Sequence, residues 1–195
     1  MSTTTQQIAL RMLVSSARIF CRLLSPALVL VAVVVLAAYV SGTGFVGAIL
    51  LLVGVVVVPG AIHKRGKTLF RAWGIKDSRR PVVAALLVLL AAVLCYWWRV
   101  PQPVPATVTA MVLGSLGLAI SRKLLNVSAH VSVISFAVLW AAVIFGGWAW
   151  ALLVLSPVMI LARVLVREHK WSESFAGALL GLATYGCFMA ALIWS

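Results

Sequence analysis

Five stretches of the chain contain no Asp, Glu, Lys or Arg: Pro26–Ile62, Pro81–Trp98, Val100–Ser121, Val131–Ala162 and Ser174–Ser195. Runs of this length restrict the fold more than any other feature of the sequence. About 20 apolar residues cross a bilayer as a helix, and a helix satisfies its own backbone hydrogen bonds where no water is present. The first and fourth runs are long enough for two crossings each. Reversals are expected at Ser41-Gly42-Thr43-Gly44 and Gly146-Gly147, where small residues allow tight turns. The expectation is an all-α, polytopic transmembrane helix bundle. Seven spans are placed at 26–40, 44–61, 81–98, 105–121, 129–146, 148–165 and 174–194, or six if one short segment is re-entrant. Composition agrees: of 195 residues 64% are hydrophobic and 10% charged, too few charges to cover a soluble domain of this size.

Residues 1–25 do not read as a cleaved signal peptide. Ile8–Leu24 sets Arg11, Arg18 and Arg22 on one side of a helix among apolar neighbours, which predicts an interfacial N-terminal helix. The remaining residues, 26–195, read as a single membrane domain. Cys21, Cys95 and Cys187 are isolated from one another and serve as small apolar fillers.

With the spans alternating, every Lys and Arg except Arg99 falls on the face that holds the N-terminus. The positive-inside rule makes that face cytoplasmic. Trp97, Trp98, Trp148, Trp150 and Trp194 fall at the opposite ends of their spans, as an aromatic belt does. The formal net charge of +13 is therefore read as attraction to anionic lipid headgroups and not to nucleic acid.

Three acids (Asp77, Glu168, Glu173) and three histidines (His63, His130, His169) complete the ionisable set, all on or near the basic face. Two constellations stand out. Ser128-x-His130 opens the fifth span, and Arg163-x5-His169-x3-Glu173 bridges the sixth and seventh. Four residues apart on a helical turn, His169 and Glu173 share a face. A carboxylate bonded to one imidazole nitrogen fixes the tautomer and frees the lone pair of the other, as a nucleophilic histidine requires. The Arg163 fork matches a phosphate edge. Ser128 can donate to a phosphate oxygen, and His130, titrating near ~6.5 when unperturbed, can protonate a leaving group. Taken singly, each residue reads as an interfacial anchor; together on one face they read as a site for a tetrahedral anion.

The string from Ala162-Arg163 through His169 and Glu173 to Ala176-Gly177 resembles the third signature of the type-2 phosphatidic acid phosphatase superfamily, Ser-Arg-x5-His with an acid four residues later. Val127-Ser128-Ala129-His130 is similar to the second, Pro-Ser-Gly-His, and Arg80-Pro81 keeps the end of the first, Lys-x6-Arg-Pro. The three occur in the family's order over residues 73–181. Trp73 stands where the first signature has Lys, with Lys76 or Lys67 as substitutes; Val127, Ala129 and Ala162 replace Pro, Gly and Ser, and Glu173 replaces Asp.

The resemblance implies an enzyme in which His169 attacks phosphorus to form a phosphohistidine, Glu173 supports it and His130 acts as the acid. Arg163, Ser128, Arg80 and Lys76 would hold the phosphate oxygens. No metal and no cofactor are expected. The substrate implied is a lipid phosphate: phosphatidate, phosphatidylglycerophosphate, polyprenyl diphosphate or a polyprenyl-phospho-sugar phosphate, hydrolysed at the cytoplasmic face of a bacterial inner membrane. The competing reading is a non-catalytic lipid-binding or transport protein that keeps a degenerate site. A prenyltransferase is disfavoured, since Asp77 is the single Asp of the chain and paired Asp-rich motifs are absent.

Overall fold

The computed structural model describes residues 3–65 and 80–194, without the side chains of residues 3–5, 10, 63–65, 80–82, 84 and 122–124. Among the described residues the structure is helical and contains no strand. Helices α1 (Thr3–Leu23), α2 (Pro26–Val40), α3 (Gly44–Leu52), α4 (Val58–Arg65), α5 (Arg80–Trp97), α6 (Val104–Leu124), α7 (Ala129–Phe145), α8 (Leu155–Leu165) and α9 (Trp171–Ile193) follow in order. A π-helical stretch, Val53–Val57, joins α3 to α4, and a 3-10 stretch, Gly147–Val154, leads into α8.

Turns interrupt the helices at both expected positions. Gly42, Gly44, Gly146 and Gly147 all take positive φ, a region that side-chain-bearing residues rarely occupy. At the first turn Ser41 Oγ and Thr43 Oγ1 both donate to the Ala38 carbonyl, at 3.0 and 2.8 Å, so the last turn of α2 does not leave that acceptor bare.

Gly44–Ile62, Val104–Ser121, Gly147–Leu165 and Trp171–Ile193 are long and apolar enough to cross a bilayer, and the bent pair of α1 and α2 makes a fifth crossing if it acts as one span. The expected spans at 81–98 and 129–146 appear as shorter apolar helices, Ala85–Trp97 and Ala129–Phe145. At 1.5 Å per residue a 17-residue helix reaches about 26 Å, a little under the ~30 Å hydrocarbon core. Phe45, Val46, Leu50, Leu179, Leu182 and Ile193 are exposed, and the tryptophans at positions 97, 98, 148, 150 and 194 are each more than half exposed. So much bare apolar surface suits a lipid environment and not water. The chain has the helices of a membrane protein.

Two compact units divide the chain. One comprises Met1–Val29 and Ser121–Leu182. In its core Ala17 and Cys21 of α1 pack with Val131, Ile134 and Val138 of α7 and with Met159, Ile160 and Ala162 of α8. The spacings i, i+4 on α1 and i, i+3, i+7 on α7 each mark a single helical face. The N-terminal helix therefore contributes side chains to a protein core as well as presenting arginines. Trp140 is fully buried and meets Phe145 edge-on, with centroids 6.0 Å apart. Ser135 Oγ and Ser156 Oγ lie 2.6 Å apart and bridge α7 to the start of α8. The first half of α9 lies almost backbone to backbone on α7: a Cβ added at Gly177 would stand 2.8 Å from the Ser128 carbonyl oxygen. This close packing is what small residues permit between membrane helices.

The other unit comprises Leu30–Ile120 and Ala183–Ser195. Val33, Val34, Ala37 and Ala38 of α2 are buried, as are Val104, Ala106, Val108 and Ala110 of α6. Thr107 Oγ1 donates to the Pro103 carbonyl at 2.7 Å, tying its hydroxyl to the first turn of α6. A Cβ at Gly114 would meet the Thr184 side chain at 2.7 Å, so α6 and the end of α9 also approach closely.

Candidate active site

The site candidates that can be placed in full belong to the first unit. Glu173 lies in the first turn of α9, three residues after Lys170, and its Oε2 accepts the Lys170 backbone N–H at 3.1 Å. This is the backward half of a capping box, and a carboxylate there also complements the positive end of the helix. The same Oε2 lies 3.0 Å from Nδ1 of His169, with both side chains largely buried. Donation from Nδ1–H to Glu173 leaves the lone pair on Nε2 of the neutral ring. The pair expected from the i, i+4 spacing is therefore formed.

Ser128 stands at the N-cap of α7, in extended conformation, but its side chain caps nothing. Its backbone N–H donates to the Glu173 carbonyl at 3.3 Å, and its carbonyl accepts from Ser132 N–H at 3.1 Å. The backbone thus joins the start of α7 to the first turn of α9. The Ser128 hydroxyl is fully buried and has no hydrogen-bond partner among the described residues. The Ser174 hydroxyl and Nε of Arg163 share that condition. Each of the three atoms can still donate a hydrogen bond to a group outside the described residues.

Arg163 closes the last turn of α8 and is buried. Its Nη1 is ion-paired with Glu168 across a tight turn in which Glu168 N–H donates to the Arg163 carbonyl at 3.2 Å and Arg167 adopts φ +59°. His130, half-buried in the first turn of α7, lies within electrostatic range of Arg163, Glu168 and His169. His130 and Arg163 line a cavity of about 620 Å³, the size of a small-molecule site. His169 and Ser128 are not among the residues lining it.

Ser128, His130, Arg163, His169 and Glu173 thus gather in one unit, around the start of α7, the end of α8 and the start of α9. Arg80 opens α5, but its side chain lies outside the described set; Lys76, with Lys67 and Trp73, lies outside the described residues. Among the described residues no three His, Cys, Asp or Glu side chains group as metal ligands.

Two features escape the sequence reading. Glu168 occupies Arg163, and α1 lines the cavity through Arg18, Cys21 and Arg22. Arg18 and Arg22, one turn apart on α1, carry a signal that fits a site as well as an interfacial anchor. Glu168, one of only three acids, has no comparable signal, because its pairing depends on how the chain turns after α8. Comparison with family models, with curated proteins and with solved structures gives no match to this chain.

Proposed function

We propose that the chain is a membrane lipid phosphatase, multi-pass with six or seven spans in a bacterial inner (plasma) membrane, that hydrolyses a phosphate from a lipid-linked substrate at the cytoplasmic face. The observation that carries the reading is the His169–Glu173 hydrogen bond, in the same compact unit as His130 and the buried Arg163.

In the first step Nε2 of His169 forms a bond to phosphorus as the bond from phosphorus to the leaving lipid oxygen breaks, and His130 gives that oxygen its proton. Arg163 offsets the charge that accumulates on the non-bridging oxygens, and the Ser128 hydroxyl donates a hydrogen bond to one of them. In the second step water attacks the phosphohistidine, its proton goes to His130, the nitrogen–phosphorus bond breaks and phosphate departs. Glu173 positions the ring in both steps and stabilises the charge it gains. Anionic lipids are attracted to the same basic face, and no cofactor is required.

The test is phosphate release in detergent from a panel of phosphatidate, a polyprenyl diphosphate and a polyprenyl-phospho-sugar phosphate, with and without EDTA. Release from at least one, at a rate that chelation leaves unchanged, is expected. Activity lost on chelation and restored by Mg²⁺ would replace this mechanism with a metal-dependent one.

The second reading, a non-catalytic protein that binds anionic lipid, is favoured by one observation: Glu168 already neutralises Arg163. It gains if no member of the panel is hydrolysed.

Ser128→Ala separates a functional hydroxyl from a structural one. Removing a buried donor that has no partner leaves the thermal midpoint unchanged or raises it. If the hydroxyl contacts phosphate, kcat/KM falls about tenfold, the worth of a hydrogen bond to a charged group. A lower midpoint with unchanged kcat/KM would make Ser128 a packing residue.

A further inference from the structure

The cavity that Arg163 enters has a second basic wall. Arg18, Cys21, Arg22 and Ser25 line it from α1 and the turn after it; His130, Arg163 and Glu168 line it from α7 and α8. Positions 18, 21 and 22 fall on one side of a helix. Their direction is fixed by the next strip of the same helix, because Ala17 and Cys21 are buried in the core and Cys21 Sγ rests 3.9 Å from Met159 Sδ. Sliding or rotating α1 to release the arginines would uncover that core.

Three guanidiniums therefore surround one cavity with a single carboxylate among its lining residues, and that carboxylate is held by Arg163. Neither Arg18 nor Arg22 has a carboxylate partner among the described residues. Like charges at i, i+4 on a helix repel, and their proximity to Arg163 adds to the repulsion. Two planar forks one turn apart are well suited to a phosphate that accepts several N–H bonds at once. One phosphate beside Arg163 and His130 leaves the α1 pair without a counter-charge.

We propose that Arg18 and Arg22 form a second phosphate subsite, so that the cavity takes a ligand carrying two phosphoryl groups, one beside Arg163 and His130 and the other against α1. The proposal rests on the phosphatase reading for its first subsite. It adds the N-terminal helix as the element that selects a doubly phosphorylated headgroup over a simple phosphate monoester.

The test measures binding, so it does not depend on turnover. Calorimetric titration of the full chain in uncharged detergent compares inorganic pyrophosphate with orthophosphate. Wild type is expected to bind pyrophosphate at least tenfold more tightly. In Arg18→Gln/Arg22→Gln that preference collapses to within about twofold while orthophosphate affinity is retained. Arg18→Lys/Arg22→Lys keeps the charge without the forks and falls between the two, which supplies the comparison if the glutamine variant does not fold.

Equal affinity for the two anions in wild type, or a preference that survives in the glutamine and lysine variants, overturns the subsite. So does loss of the preference when phosphatidylglycerol is added to the detergent, which would assign the arginines to bulk lipid headgroups. An inactive wild type, or an active His169→Ala, defeats the catalytic reading and leaves the affinity ratio as the measure of the subsite.

Discussion

Phosphate release from a lipid phosphate is expected to fall at least about a thousandfold in His169→Ala, with the protein still folded. Nε2 of His169 is the atom that bonds to phosphorus in the proposed mechanism, so its removal closes the covalent route and leaves only charge stabilisation and positioning. The variant should also fail to accumulate an acid-labile, base-stable phosphoenzyme that wild type forms when quenched during turnover. Glu173→Gln is expected to be milder, about 10–100-fold in kcat. An amide still accepts from Nδ1–H, but it no longer stabilises the charge on the ring, and the change resembles loss of an outer-shell partner. The alternative is that His169 merely completes the cap of α9 through Glu173, whose Oε2 binds both His169 and the Lys170 N–H. In that case His169→Ala lowers the thermal midpoint and leaves turnover per folded molecule intact. Measuring midpoint and turnover on the same preparation decides between the two.

The second large effect concerns packing. Gly181→Leu is expected to destabilise the protein by about 3 kcal/mol or more, the upper range for overpacking. For a chain of this size that lowers the thermal midpoint by about 6–12 °C. A Cβ at Gly181 would lie 2.5 Å from the Ser132 carbonyl oxygen, 2.7 Å from Ser135 Cβ and 3.1 Å from the Phe136 amide nitrogen. Two of those three atoms are backbone, so relief requires α9 to move away from α7. The same contact line passes through Gly177, beside the Ser128 carbonyl, and the Ser128 N–H is bonded to Glu173. Forcing the helices apart therefore also strains the Ser128–Glu173 backbone hydrogen bond, and activity is expected to fail before unfolding is complete. Gly186→Ala on the same helix is the control. Nothing lies within 4 Å of its added Cβ, so its midpoint should hold or rise slightly through better helix propensity. An equal midpoint in Gly181→Leu would mean that α7 and α9 do not pack as described.

Features that depend on residues within a few positions of one another were legible in the linear chain. The uncharged runs mark apolar helices, Gly-containing turns form at 41–44 and 146–147, and the spacing of His169 and Glu173 brings the two together on one turn. Each follows from backbone geometry and short-range bonding, which need no distant partner. The number of crossings was less legible, because an apolar run does not say whether its helix extends the full hydrocarbon thickness or, as in α7, stops slightly short of it.

Folding in three dimensions settles what surrounds the site. A helix such as α7, apolar around its circumference, carries no polar stripe to say which side meets protein and which meets lipid, so the glycine contacts that bury Ser128 cannot be read from its pattern. Nor does helical periodicity say that Cys21 would rest on Met159 and turn Arg18 and Arg22 toward Arg163, or that the turn after α8 would bring Glu168 onto that arginine. Those pairings join segments up to 138 residues apart. They arise because apolar faces seek close-packed neighbours wherever the chain allows, and local composition leaves the choice of neighbour open.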